Sequence, residues 1–215
     1  MATSESAALR YATLDPDVRL MLQVRDDDAA AFEELMLRYQ NRLMTVLEHL
    51  VGERTQAEDL AQDVFLRVYR SRKTYVPGAR FSTWLFTIAN NVASNARRSR
   101  QRRREVSVQS SPTAQTAPAR LDELAQAASG QMPTRVLDKA EMQAIVRLAL
   151  ESLNERQRMA VLLSKFEEMN YADIAAAMDL TPQAIKSLLS RARANLREVL
   201  EPYLQTGQRP EARPQ

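Results

Sequence analysis

The 215-residue chain contains no cysteine. Disulfides, thiolate metal sites, iron–sulfur ligation and cysteine nucleophiles are therefore excluded. A single histidine, His49, leaves little from which to build a catalytic triad or a multi-histidine metal site, and it reads as structural. Glycine is reduced to four residues and aromatics to 6%, whereas Ala, Leu, Arg and Glu are plentiful. That balance favours helices over sheets. No apolar run approaches the ~18 residues that a membrane helix needs, and Met1 to Tyr11 lacks the apolar core of a signal peptide. Hydrophobic residues make up 45% and charged residues 27%, enough to bury a core in one medium domain or two small ones. The expectation is a soluble, cytoplasmic, all-α protein with no membrane insertion, no cofactor and no metal ligand set.

The charge that is present is unevenly placed. The formal net charge is +3, but residues 1–64 carry −7, residues 65–104 carry +11 without a single acid, residues 105–180 carry −4 and residues 181–200 carry +3. Two basic segments set between acidic ones mark two places where a polyanion can be held.

Hydrophobic periodicity divides the chain into helices. Asp26-Asp27-Asp28 precedes Phe32, Leu35, Tyr39, Leu43, Val46 and Leu50, an amphipathic helix with carboxylates at its N-terminus. Helix capping accounts for this triple aspartate better than a metal site, since carboxylates satisfy free N–H groups and suit the helix dipole. Gly52 breaks the pattern. A second helix places Leu60, Ala61, Val64 and Val68 on one face, with Glu58, Asp59, Gln62, Asp63 and Arg67 more polar. Pro77-Gly78 marks a turn within the loop Lys73 to Arg80. Ser82 is the expected cap of a third helix, which carries Trp84, Leu85, Ile88, Ala89 and Val92 and runs into six arginines between Arg97 and Arg104.

From Glu105 to Arg135 the composition turns to Ser, Thr, Gln, Ala and Pro, the signature of a linker, with one short helix expected over Leu121 to Ala128. Beyond it, Asp138 to Leu153 carries Ile145, Val146 and Ala149. Asn154 and Gln157 form a capping-box start for a helix holding Val161, Leu162 and Phe166. Asn170 and Asp173 begin a short helix, and Thr181-Pro182 begins the last. That helix is expected to end near Leu200, before Pro202. The resulting division is a disordered N-terminus (1–13), a first helical domain (14–104), a linker (105–135), a second helical domain (136–204) and a disordered tail (205–215).

Two short helices joined by a tight turn, Tyr171–Met178 and Thr181–Leu200, have the spacing of a helix-turn-helix. Asp179 occupies the turn position where glycine is common, and aspartate tolerates the left-handed conformation. At about 100° per residue, Ile185, Leu188, Leu189, Ala192, Leu196 and Val199 fall on one face of the second helix. Gln183, Ser187, Ser190 and Ala194 lie opposite; Lys186, Arg193 and Arg197 line one flank, and Arg191 the other. Small polar side chains flanked by cations suit a helix in a major groove, with base edges at the centre and phosphates at the sides. The same face also reads as the solvated side of a surface helix, but capping, turn and charge together favour DNA. The arginine run alone is equally a solvated helix end, a non-specific nucleic-acid patch or a localisation-like signal. Its context is more pointed: Tyr75, Phe81, Trp84 and Phe86 are interleaved with Arg72, Lys73, Arg80 and the amides Asn90, Asn91 and Asn95. Unstacked bases need such surroundings, although Trp84 also fits a core position. Glu58 to Asp63 have neither nucleophile nor histidine nor ligand set beside them, so their acidic face reads as a protein-docking surface rather than an acid–base pair.

Three segments together resemble the bacterial sigma factors of the extracytoplasmic-function group: Ala57-Glu58-Asp59-Leu60-Ala61-Gln62-Asp63-Val64-Phe65, then Phe81-Ser82-Thr83-Trp84-Leu85 with Ile88-Ala89, then Leu153-Asn154-Glu155-Arg156-Gln157-Arg158 leading into the helix-turn-helix. The resemblance spans about residues 14–104 and 136–200. It implies two helical modules, sigma regions 2 and 4. It places Asp59, Gln62 and Asp63 against the clamp helices of the β′ subunit of core RNA polymerase. It places Lys73, Arg80, Trp84, Asn90, Asn91, Asn95, Arg97 and Arg98 where the −10 promoter element is opened and read. Thr181, Gln183, Ala184, Lys186, Ser187, Ser190, Arg191 and Arg193 fall where the −35 element is read. An anti-sigma factor is a further partner the resemblance allows. Asn95 stands where the family often has aspartate, and Asn154 where it often has proline.

The expected function is thus that of a promoter-specificity subunit, not an enzyme. The alternatives are a stand-alone helix-turn-helix regulator, which leaves the Asp59/Gln62/Asp63 face unexplained, and a metal-dependent nucleic-acid-processing enzyme using Asp26–Asp28 or Glu58/Asp59.

Overall fold

The computed structural model describes residue 11, residues 13–109 and residues 139–206, and among these no strand occurs. Four helices precede the undescribed segment: α1 (Pro16–Arg25), α2 (Ala29–Val51), α3 (Arg54–Arg70) and α4 (Phe81–Gln109), with a 3-10 turn at Arg72–Thr74. Four follow it: α5 (Lys139–Glu151), α6 (Glu155–Lys165), α7 (Tyr171–Met178) and α8 (Pro182–Thr206). The expected short helix over 121–128 and most of the expected linker lie outside the described residues, whereas residues 105–109 continue α4.

Local chemistry sets most helix ends. The Asp28 carboxylate accepts from the N–H groups of Ala30 and Ala31 at 2.9 and 3.1 Å, satisfying two donors that α2 leaves free. Along α2, Ala31, Leu35, Tyr39, Leu43, Val46 and Leu47 are buried, and the helix stops at Gly52 in the left-handed region (φ 79°). Asn154 and Gln157 form the anticipated capping box, with the Gln157 N–H donating to Asn154 Oδ1 at 2.9 Å and the Asn154 N–H donating to Gln157 Oε1 at 3.2 Å. The Asn170 side chain accepts from Ala172 and Asp173, Asp179 takes the left-handed conformation (φ 53°), and Thr181 Oγ1 accepts from the Ala184 N–H at 3.2 Å.

Three local expectations give way to long-range packing. Ser82 does not cap α4, because that helix begins one residue earlier at Phe81. Its cap is the distant Asp15: Oδ2 accepts from the Phe81 N–H at 2.9 Å while Oδ1 accepts from the Asp17 N–H at 2.9 Å. One carboxylate thus starts two helices and ties α1 to α4. Pro202 does not end α8, which continues to Thr206. A proline this close to a helix end forfeits one backbone bond in a turn that is already fraying, and burial of Tyr203 holds that turn down. Phe166, placed by periodicity inside a helix, lies one residue past α6 and is 44% exposed.

In the first module, α1, α3 and α4 pack around α2; in the second, α8 is the helix against which α5, α6 and α7 lie. The buried apolar side chains of the two modules form one continuous cluster, from Val18 and Leu43 through Phe86 to Leu153, Met159, Ile174 and Ile185. The modules meet where α7 lies on α4 and where α6 and α5 approach α2.

Candidate nucleic-acid interface

The face of α8 is disposed as its periodicity requires. Ile185, Leu189 and Ala192 are buried, and Leu188 and Leu196 partly so. Gln183, Lys186, Ser187, Ser190, Arg191 and Arg193 are exposed, as is the capping Thr181, while Ala184 is intermediate. Arg191 donates through Nη2 to Ser187 Oγ at 3.2 Å, and Arg193 to the Tyr171 hydroxyl at 3.3 Å. Both bonds are to neutral groups, so the cations keep their full charge for an incoming phosphate. Tyr171, which sequence patterning did not single out, thereby aims a flanking arginine from the first helix of the motif.

The residues expected to handle the other promoter element are more constrained. Lys73 is tied down: its Nζ donates to the Arg25 carbonyl at 2.8 Å and to Asp27 Oδ2 at 2.5 Å. Arg72 Nε donates to Asp27 Oδ1 at 3.0 Å. These hydrogen bonds, from Lys73 first and Arg72 second, hold the Asp27 carboxyl below its ordinary range. Lys73 therefore anchors the base of the loop. The exposed Arg80 lines a cleft with Asp15, Asp17, Tyr39, Arg42 and Glu167. Along α4, Asn91, Asn95, Arg97 and Arg98 are exposed and Asn90 is intermediate. Asn95 accepts from Arg98 Nη2 at 2.9 Å, and Arg97 Nη1 pairs with Glu155 of α6 at 3.4 Å.

Trp84 is packed against the core without being fully buried. It stacks obliquely on Tyr75 (centroids 4.8 Å apart) and Phe81 (6.0 Å), yet stays partly exposed at the wall of a small cavity. That cavity, about 180 Å³, is lined by Tyr75, Gly78, Thr83, Trp84 and Thr87 with Ala176 of α7 opposite. The Tyr75 hydroxyl and Thr83 Oγ1 are buried and have no hydrogen-bond partner. A buried hydroxyl left unpaired costs about 1–3 kcal/mol; both belong to residues that line this cavity, with their oxygens closed off from solvent. Burial also pushes the Tyr75 phenol up, which keeps it a neutral donor. Thr83 was not identified from the sequence; the signal available was a β-branched hydroxyl residue beside Ser82 between the buried Phe81 and Leu85.

On α3, Asp59 and Gln62 are exposed and Asp63 is half-buried, one turn apart on the side away from buried Ala57, Ala61 and Val64. Asp63 is clasped by Arg67 through contacts of 3.1 and 3.0 Å, and Glu58 by Arg54 at 3.1 Å. Asp59 is thus the least neutralised acid of that face. Leu66, 51% exposed, extends the surface by one turn. Among the described residues, no group of three or more His, Asp or Glu side chains converges as a metal site would require. Asp28 serves as a cap and Asp27 as an anchor. No helix among them is long and apolar enough to cross a membrane.

Two helical modules, one ending in a helix-turn-helix with a cationic face and the other carrying an aromatic pocket beside an arginine-rich helix, define a class of multi-site DNA-binding proteins. The family model for sigma-70 region 2 matches residues 35–103, and that for sigma-70 region 4 matches residues 143–196. The chain is 31% identical to RNA polymerase sigma-H factor of Pseudomonas aeruginosa, over 89% of this chain and 97% of that one. It is 36% identical to RNA polymerase sigma factor CarQ of Myxococcus xanthus, over 84% and 95% respectively. Among solved structures, the sigma factor RpoE from Bartonella quintana, in complex with the anti-sigma factor NepR, aligns over 79% of this chain and 96% of that chain with a TM-score of 0.57 at 26% identity. CnrH, in complex with the cytosolic domain of CnrY, shares the fold with a TM-score of 0.62 over 87% and 98%, at 21% identity. The chain belongs to the RNA polymerase sigma factors of the extracytoplasmic-function group.

Proposed function

We propose that the chain directs core polymerase by three separate surfaces and performs no catalysis itself. Residues 14–104 act as one module and 136–204 as the other, in the cytoplasm and without a cofactor. Asp59 and Gln62, with Asp63 and Leu66 beside them, dock on the clamp helices of the β′ subunit. Thr181, Gln183, Ala184, Ser187 and Ser190 meet base edges of the −35 duplex, while Lys186, Arg191 and Arg193 meet its phosphates. Arg80, Asn90, Asn91, Asn95, Arg97 and Arg98 guide the separated −10 strand, with Lys73 fixing the loop from behind. An anti-sigma factor is a fitting partner class, since the solved relative RpoE is described with one.

The observation that carries the −10 assignment is the pair of unpartnered hydroxyls beside Trp84. A base extruded from the stack can lie against the indole while its polar edge satisfies Tyr75 and Thr83. Extrusion costs stacking energy, and the two new hydrogen bonds offset part of that cost. The test is open-complex formation with core polymerase, comparing wild type with Thr83→Val, which keeps shape and removes the hydroxyl. The expected result is a loss of about tenfold in open complex, equivalent to about 1.4 kcal/mol, with polymerase binding unchanged. Unaltered opening by Thr83→Val and Tyr75→Phe alike removes the pocket from the account.

A further inference from the structure

The three aspartates at the turn between α1 and α2 divide their work. Asp28 caps α2 through Ala30 and Ala31, and the exposed Asp26 carboxylate meets the adjacent Arg25 at 3.7 Å. Asp27 takes the left-handed conformation (φ 69°), which glycine adopts freely and most side chains resist. Its carboxylate caps neither helix. Instead it meets residues 45 and 46 positions ahead, Arg72 through Nε at 3.0 Å and Lys73 through Nζ. Glycine at this position would ease the backbone and forfeit only those two contacts.

Those two cations begin the segment that walls the cavity beside Trp84. The Arg72 guanidinium also lies 4.0 Å from the centre of the Tyr69 ring. Lys73 also donates to the Arg25 carbonyl at 2.8 Å, at the C-terminus of α1, where the helix dipole favours a cation. Beyond the 3-10 turn, Tyr75, Val76, Gly78 and Ala79 line the cavity opposite Thr83, Trp84 and Thr87 of α4. Among the described residues, Val76 to Ala79 make no backbone–backbone hydrogen bond. This wall is therefore placed by burial of Tyr75 and Pro77 and by its two ends. The far end is Phe81, whose N–H donates to Asp15 at 2.9 Å. Asp15 immediately precedes α1, and Asp27 follows it by two residues. The ten residues of α1 span about 15 Å, and its Val18, Met21 and Val24 are buried. Both ends of the loop are thus tied to the two ends of one seated helix.

We propose that α1 splints the pocket loop and that Asp27 is a positioning residue for base capture. By holding Arg72 and Lys73 it fixes the near end of the loop, as Asp15 fixes the far end, so that Tyr75 stands against Trp84 before a base arrives. The inference rests on the assignment of that pocket to a promoter base. Such a splint acts on the loop's population of conformations rather than on the fold. Exposed ion pairs add little to stability, and the Asp27 side chain is 55% exposed. A loop released at one end, however, spends less time in the conformation that admits a base, and apparent affinity falls in proportion. Glycine at position 27 separates the two effects, since it relaxes the left-handed backbone while letting the loop go.

The test uses the full chain with core polymerase on duplex promoter DNA and compares wild type, Asp27→Gly and the neighbouring control Asp26→Asn. Asp27→Gly is expected to lower open-complex formation about tenfold, as a competent population reduced to a tenth requires. Core-polymerase affinity and the thermal midpoint should stay nearly unchanged, and Asp26→Asn should match wild type throughout. A nitroxide at Val76→Cys, an exposed loop position in a chain without cysteine, should turn from restrained to mobile in Asp27→Gly alone. Added to Tyr75→Phe, Asp27→Gly should cost less than the product of the single losses, because both act on one hydroxyl. Wild-type opening by Asp27→Gly, with a loss in Tyr75→Phe, overturns the splint and leaves the pocket standing. Improved opening by Asp27→Gly overturns it too, since Asp27 would then be withholding two cations from DNA. Fully multiplicative losses place the effect outside the pocket and refute the positioning role. Unaltered opening by Tyr75→Phe and Thr83→Val removes the pocket itself, so the two claims fail separately.

Discussion

The two arginine-bearing helices, α4 and α8, are alike in composition and differ in what lies beside their exposed polar residues. On α8 the polar face from Gln183 to Arg193 stands in solvent, and its cations contact only neutral hydroxyls and a backbone carbonyl. On α4 the corresponding amides and arginines adjoin the second module: Arg97 is paired with Glu155, and Asn90 and Arg98 line a cleft against Met178 and Leu180. Basic composition measures affinity for a polyanion; it says nothing of whether the face can be reached.

The contrast can be broken most severely at Arg158. Its guanidinium donates to the carbonyls of Leu150 (2.8 Å), Glu151 (2.9 Å) and Leu153 (3.1 Å) at the end of α5, and reaches His49 across the seam. Arg158→Ala is expected to cost about 3 kcal/mol in chemical denaturation, because several carbonyls, most of them partly buried, lose a charged donor at once. Tyr75→Phe should act in the reverse direction on the fold. Removing an unpaired buried hydroxyl is expected to stabilise the free chain by about 1 kcal/mol, a rise of roughly 2–4 °C in Tm. The same substitution lowers open-complex yield, so stability and function move oppositely.

Lys186→Ala or Arg191→Ala should leave stability nearly unchanged while flattening the plot of log affinity against log salt for −35 duplex, by about 0.9 per lost phosphate contact. The smallest effect concerns pH. Burial first, and then Arg147, depress the His49 pKa below its ordinary value of 6.5, with Glu48 and Glu151 opposing and Arg158 adding to the depression. The folded state therefore favours neutral imidazole. Its stability is complete above about pH 6.5 and declines below it, as the unfolded chain takes up a proton first. His49→Gln should remove this acid-side decline from the pH profile of the denaturation midpoint.

What the sequence made legible was local. Asp28, Asn154, Asn170, Asp179 and Thr181 act within a turn of where they stand, so the helix ends they set and the exposed polar face of α8 followed from spacing alone. What stayed hidden was set by distant partners. Asp15 caps a helix that begins 66 residues later, displacing Ser82 from that role. Lys73 stands in an acid-free stretch of sequence, and only the fold brings Asp27, 46 residues before it, to its side. Phe166 keeps the apolar period of α6, yet the chain turns before it and lays it against His49. Tyr75 and Thr83 become a pair only when the loop folds back on α4. No pattern within one module could announce the seam, whose pairs join residues as many as 125 apart.

The chain has one tryptophan, Trp84, and it sits at the wall of the cavity that α7 faces. Quenching of its fluorescence by acrylamide in the free, full-length chain therefore reads, without a label, how far the second module covers that cavity. Weak quenching is expected in wild type and a several-fold stronger response in Glu155→Gln/Glu167→Gln, which removes the Arg97–Glu155 and Arg42–Glu167 pairs, with helicity unchanged. Equal and strong quenching in both proteins would mean that the cavity is as open as the polar face of α8, and the contrast between the two helices would be lost.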